Sequence, residues 1–250
     1  MATSSIPRRR SPVLLARILG FIGIAGILTG AFDIGYVQSS LNVAGNPAAT
    51  LQNILTHETL FRLGFSAHLL ELALNIPGEI ISYALFKRVN GIIAAIALGC
   101  GFIGIAVEAA DLIFAYVPLK LAIAGSGLSA FSPDQMHAFA RLAGELQEAG
   151  LLLSWVFYGI DEFATGFLWF RSGFLPRLLG ILLALSGFAY FTHGLLTFLA
   201  PGLDARIYPY VLYPTLPGEA LSSLWLAIAG LNLARFMAWK DEPRSDPAVS

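Results

Sequence analysis

Residues 61–117 read FRLGFSAHLLELALNIPGEIISYALF, then KRVN, then GIIAAIALGCGFIGIAVEAADLIFAYV. Two long apolar runs flank the basic turn Lys87-Arg88-Val89-Asn90. Each exceeds the ~20 residues that a helix needs to cross a bilayer. A tight turn between them makes the two helices antiparallel neighbours. Carboxylates and a histidine nevertheless interrupt the apolar sequence: His68, Glu71, Glu79, Glu108 and Asp111. The stretch therefore reads as two membrane spans carrying polar chemistry.

The same reading extends along the 250 residues. Further spans are expected at 13–37, 134–170, 177–200 and 216–239. With 61–86 and 91–117 they make an all-α polytopic bundle of six transmembrane helices in one domain, residues 13–239 between two short tails. Ser11 and Pro12 form a helix start for the first span, which reads as retained rather than as a cleaved signal. A short outer amphipathic helix follows Asn46-Pro47, with Leu51, Ile54 and Leu55 on its apolar side. It reads first as a helix lying on the membrane surface and second as a lid over an outward opening.

Composition agrees. The chain is 56% hydrophobic and 12% charged, about half the charged share usual in soluble domains. Its mean hydropathy is +0.72. These values exclude a soluble enzyme and a disordered chain. A formal charge of -1 leaves no basic footprint for nucleic acid. The single cysteine, Cys100, permits neither an internal disulfide nor a cysteine-pair metal motif.

The basic residues orient the bundle. Arg8, Arg9, Arg10, Arg17, Lys87, Arg88, Arg171, Arg177, Arg235, Lys240 and Arg244 fall on one side of a six-span layout. Only Arg62, Lys120 and Arg206 fall on the other. The positive-inside rule then places both termini in the cytoplasm.

Four segments carry a resemblance. They are Ala16–Gly20, Asn53–Leu55 leading into Leu60–Phe65, Arg171-Ser172-Gly173-Phe174-Leu175-Pro176-Arg177-Leu178-Leu179-Gly180, and Gly218–Leu221 before Trp225. In order and spacing the chain resembles the six-helix bacterial membrane proteins grouped as domain of unknown function 4386. The resemblance implies six helices in a bacterial inner membrane and implies no activity.

Ionisable groups inside a bilayer cost ~2.5–3.5 kcal/mol each on insertion scales, so they mark function or paired networks. Counting depth along each span brings His68, Glu71, Glu108, Asp111, Arg141, Glu145, Glu148 and His193 to the outer half. They are the candidate ligand- or proton-binding set of an outward-facing acidic cavity. Glu79 and Glu162 are the candidates for an inward relay. Asp161 is expected to point elsewhere.

Three readings follow. The first is binding of a cation or a small polar or amphipathic ligand, coupled to protons. The second takes the i,i+3 pairs His68/Glu71, Glu108/Asp111 and Glu145/Glu148, with His193, as ligands of a divalent metal in an intramembrane hydrolase of lipid-like substrates. The third is a non-catalytic scaffold in which the charges only fix helix register. The lipid bilayer is the one partner the composition requires. Pro77-Gly78 and Pro217-Gly218 are expected to break their helices, as in transporters.

Overall fold

The structure is a computed structural model that describes residues 11–123 and 131–241. Arg8, Arg9, Arg10 and Arg244, counted above for orientation, lie outside these residues. No strand occurs among the described residues.

α1 (Pro12–Gly30) continues without interruption through a π-wound segment, Ala31–Gln38, and one last turn, α2 (Ser39–Leu41). α3 (Pro47–Thr56) is the expected short outer helix, and Asn46 Oδ1 accepts a hydrogen bond from the Ala49 N–H at 3.0 Å. Its Ile54 packs with Val37, Leu41 and Leu119 in a small core. It is therefore seated on the bundle end. α4 (Glu58–Phe86) and α5 (Gly91–Ile123) are the two helices of the opening sequence. α6 (Pro133–Ser172) has 40 residues, about 60 Å of helix, twice what the hydrocarbon layer requires. A capping box starts it: Ser132 Oγ accepts from the Gln135 N–H, and Gln135 Oε1 from the Ser132 N–H. α7 (Arg177–Leu199), α8 (Pro201–Ile207), a 3₁₀ turn at Tyr210–Leu212, α9 (Thr215–Ile228) and α10 (Leu233–Asp241) complete the chain.

Five helices are long and apolar enough to cross a membrane. The sixth expected span, 216–239, is not one rod. Tyr210–Ile228 and Leu233–Trp239 meet at an angle of 98°. Gly230 ends α9 in the left-handed region, at φ 67°. Asn232 starts α10 with its Oδ1 accepting from the Arg235 N–H at 3.1 Å. α10 then turns beneath the bundle. Its Trp239 Nε1 donates to Ser172 O at 2.6 Å, and Arg235 donates to Gly173 O at 2.9 Å. The expected break at Pro77 is also absent, since α4 runs unbroken through it. Pro217 falls in the first turn of α9, where its missing N–H costs little.

The neighbours form a ring. α1 packs on α4 and α9, α9 on α7, α7 on α6, α6 on α5, and α5 on α4. α6 and α7 approach to backbone contact. A Cβ on Gly159 would lie 2.7 Å from Gly187 O, and one on Gly166 would lie 2.7 Å from Gly180 O. Lipid tails supply no hydrophobic drive between helices, so such close contact is what holds a membrane bundle. α1 and α9 meet in the same way where Gly20 faces Ser223 and Ala227.

One end of the ring is sealed. Ala16, Phe86, Ala94, Trp169, Phe174, Leu226 and Phe236 belong to a single buried core. It gathers the start of α1, the 87–90 turn, the 173–176 turn and α10. α9 therefore returns to the end where α1 begins. Arg17, Lys87, Arg88, Arg171, Arg177 and Arg235 also belong to this end.

Candidate functional site

The ring encloses a cavity of about 540 Å³, within the ~300–1,000 Å³ usual for small-ligand sites. Six carboxyl side chains line it: Glu71, Glu79, Glu108, Asp161, Glu162 and Glu219. Among the described residues no lysine or arginine lines it. The rest of the wall is mixed. Asn75, Ser222 and Thr215 alternate with Leu19, Ile22 and Leu183.

A hydrogen-bonded chain crosses the cavity away from the basic end. His68 Nδ1 lies 3.0 Å from Asp33 Oδ2, and His68 Nε2 lies 2.9 Å from Glu108 Oε1. Tyr158 Oη donates to Glu108 Oε2 at 2.7 Å. Gln38 Nε2 donates to Asp33 Oδ2 at 3.0 Å. Asp33, His68 and Glu108 are all buried. The chain ties the π segment of α1 to α4, α5 and α6. Gly64 makes the approach possible, because a Cβ there would lie 2.6 Å from Asp33 Oδ1.

Deeper groups pair across the cavity. Glu79 (α4) and Asp161 (α6) both line the deeper part of the cavity. Ser186 Oγ (α7) donates to Glu162 Oε2 at 2.7 Å. Tyr190 Oη (α7) donates to Glu219 Oε1 (α9) at 2.6 Å. Glycines on α5 make room for two of these walls. A Cβ on Gly101 would lie 2.6 Å from the Glu79 carboxyl carbon, and one on Gly104 would lie 2.7 Å from the Tyr158 ring. Beyond them Phe86 and Trp169, with ring centroids 6.3 Å apart, close the basic end. Two buried polar atoms at this depth, Trp169 Nε1 and Ser222 Oγ, have no hydrogen-bond partner among the described residues.

The sequence candidates divide. His68, Glu71 and Glu108 line the cavity, as do Glu79 and Glu162. Asp161, expected to point elsewhere, lines it too. Helix α6 presents a face wide enough for Tyr158, Asp161, Glu162 and Thr165 together. Arg141, Glu145 and Glu148 do not reach it. Arg141 Nε lies 3.3 Å from Glu145 Oε1, with the two side chains 72% and 59% exposed, and Glu148 is exposed. Their helical register matches the cavity face, but α6 is so long that they sit beyond the cavity. Asp111 is buried against Gly150, outside the cavity wall. Neither of its carboxylate oxygens has a hydrogen-bond partner among the described residues.

His193 forms a separate pair. Its Nδ1 lies 2.7 Å from Asp204 Oδ1, and Thr197 Oγ1 donates to Asp204 Oδ2 at 3.0 Å. The imidazole stacks on Tyr208 with centroids 5.2 Å apart. The pair closes α8 onto α7. Among the described residues, no three His, Cys, Asp or Glu side chains converge in a metal-ligating arrangement. Both ring nitrogens of His68 face carboxylates.

Asp33, Asp204, Glu219 and Tyr190 were absent from the candidate set. Asp33 reads from sequence as the end of a span, and Glu219 as the start of one. Only the fold shows that both ends face inward.

The family described as Domain of unknown function (DUF4386) matches residues 18–230. The chain belongs to this family. An "Uncharacterized protein" of Archaeoglobus fulgidus is 31% identical over 86 residues, 34% of this chain and 49% of that one. The match thus spans about half the length of that relative. No solved structure matches. This member of DUF4386 is a multi-pass membrane protein whose polar residues are concentrated inside the helix ring.

Proposed function

We propose that the protein binds a small organic cation in the central cavity and exchanges it for protons. One observation carries the reading: six carboxyls and, among the described residues, no basic side chain except His68 line a space of ligand size. An ammonium group is the complement of such a wall. It satisfies several carboxyl oxygens at once, and charge-assisted hydrogen bonds are the strong ones. The crowding of Glu79, Asp161 and Glu162 supports proton exchange, because carboxyls gathered without a lysine or arginine among the described lining residues do not all stay ionised. An arriving ammonium substitutes for a bound proton. Intramembrane carboxyls serve as proton relays in pumps and transporters.

The same reading places the protein in the plasma membrane, the inner membrane of a bacterium, with both termini cytoplasmic. The clustered basic residues at the sealed end support this orientation. The Asp33–His68 end of the cavity then lies on the side away from the cytoplasm.

Calorimetric titration of nanodisc-reconstituted protein with butylammonium tests the proposal. Saturable binding is expected, with an apparent enthalpy that changes with the ionisation enthalpy of the buffer, the sign of proton release. Glu79→Gln and Glu219→Gln are each expected to weaken binding ~10- to 100-fold, the equivalent of one charge-assisted hydrogen bond. Binding that does not saturate, or that ignores both substitutions, removes the proposal.

A further inference from the structure

We infer that the ligand is an amphiphile, a cationic head on an apolar tail, which enters sideways from the lipid through a gap between α1 and α9. The inference rests on the cation-binding reading and specifies its ligand and route.

The gap follows from where the cavity wall is exposed. Of the exposed residues that line the cavity, Ala31 and Ile34 lie on the π segment of α1 and Leu216 lies in the first turn of α9. Ile34 is 47% and Leu216 60% exposed. Toward the basic end α1 and α9 touch, where Gly20 meets Ala227 and Gly23 meets Ser223. Further along α1 that contact is gone. The nearest atoms to a Cβ on Gly26 or Gly30 belong to Glu71 of α4, at 4.0 and 3.4 Å. The two helices therefore part toward the end where Ile34 and Leu216 stand.

Side-chain contacts span the other ends of the cavity. The Asp33–His68–Glu108–Tyr158 chain ties α1, α4, α5 and α6 together at that end of the cavity. α3 sits over the same helices through Ile54. Phe86 and Trp169 fill the basic end. The rim of the gap is apolar and its interior is acidic. An amphiphile already in the bilayer leaves its tail at Ile34 and Leu216 and puts only its head inside.

The deep unpartnered groups also point to an occupant. Ser222 Oγ and Trp169 Nε1 both line the cavity, are 4% and 2% exposed at the residue level, and have no partner among the described residues. Leaving a buried polar atom unpaired is costly, and a polar head relieves it.

Photo-crosslinking decides the matter. The probe is a long-chain primary alkylamine with a diazirine midway along its tail, added to wild-type protein in zwitterionic nanodiscs. Peptide mapping is expected to place adducts on residues 27–34 and 216–223, and excess butylammonium to abolish them. The same labelling is expected to be lost in Glu219→Gln, with a gel-filtration profile confirming that the variant is folded. The wild-type competition arm needs no variant. Adducts spread over other lipid-facing helices, or adducts that butylammonium does not displace, overturn the lateral route. If butylammonium still binds in the titration above, that failure leaves the cavity reading intact. If it does not, both fall together.

Discussion

His68 Nδ1 lies 3.0 Å from Oδ2 of Asp33, a residue 35 positions earlier in a π-wound stretch of α1. π-wound segments often mark functional sites, and here the winding carries the only acidic residue of the first span. Both side chains are buried, at 2% and 5% exposure. Removing one partner of a buried ion pair costs several kcal/mol. Asp33→Ala is therefore expected to destabilise the protein by about 3 kcal/mol, read as a lowered thermal midpoint in detergent. Glu58→Ala, which breaks the exposed pair with Arg62, is expected to cost about 0–1 kcal/mol. Equal effects of the two substitutions would contradict a structural role for the Asp33–His68 contact.

The α6–α7 seam is held by glycines that face each other. Gly187→Leu leaves no space for the new side chain against Phe163 and Gly159. The expected result is loss of the monodisperse peak in fluorescence-detected gel filtration. Gly99→Leu is the control, because nothing lies within 4 Å of a Cβ there. It is expected to leave the profile unchanged.

Gly101 separates fold from binding. Its missing Cβ gives the Glu79 carboxyl its position. Glu79 is flexible, so Gly101→Ala displaces the carboxyl without moving backbone. The expected outcome is a stability change under ~1.5 kcal/mol together with weakened butylammonium binding. Unchanged affinity would mean that Glu79 takes no part in the cavity's recognition.

The exposed charges on α6 are expected to be silent. Arg141→Ala and Glu148→Ala are each expected to shift stability by less than ~0.5 kcal/mol and to leave cation affinity as it is. A loss of affinity in either variant would show that the first turns of α6 take part in the site.

Orientation is tested by thiol labelling on a Cys100→Ala background. Val43→Cys is expected to react with an impermeant maleimide in intact cells, and Asn90→Cys only after permeabilisation. The reverse pattern would invert the topology.

Hydropathy exposes spans, so the six-segment layout was legible before the fold was known. The basic turns set the antiparallel order, and Ser11-Pro12 and Asn46-Pro47 announced the starts of α1 and α3. The bend at Gly230 was not read, although Gly230 and Asn232 are ordinary stop and start signals. The apolar run from Leu226 to Leu233 hid them inside one hydropathy window. Within the site, helical register located His68, Glu71, Glu79, Glu108 and Glu162. Register says which face a residue occupies and not how far the neighbouring helices extend. That is why Arg141, Glu145 and Glu148 were placed inside and are outside. Pairings such as His193 with Asp204, across α7 and α8, depend on a turn whose path no periodicity encodes. That the glycines of α5 make room for Glu79 and Tyr158 depends on three helices meeting.

The central claim is that an ammonium group sits among the cavity carboxyls. Solid-state NMR of ¹⁵N-butylammonium bound to protein with ¹³C-labelled Asp and Glu side chains measures this directly. The account predicts through-space correlations from the ammonium nitrogen to side-chain carboxyl carbons, diminished in Glu79→Gln and Glu219→Gln and retained in Arg141→Ala. Saturating probe with no nitrogen–carboxyl correlation would contradict it.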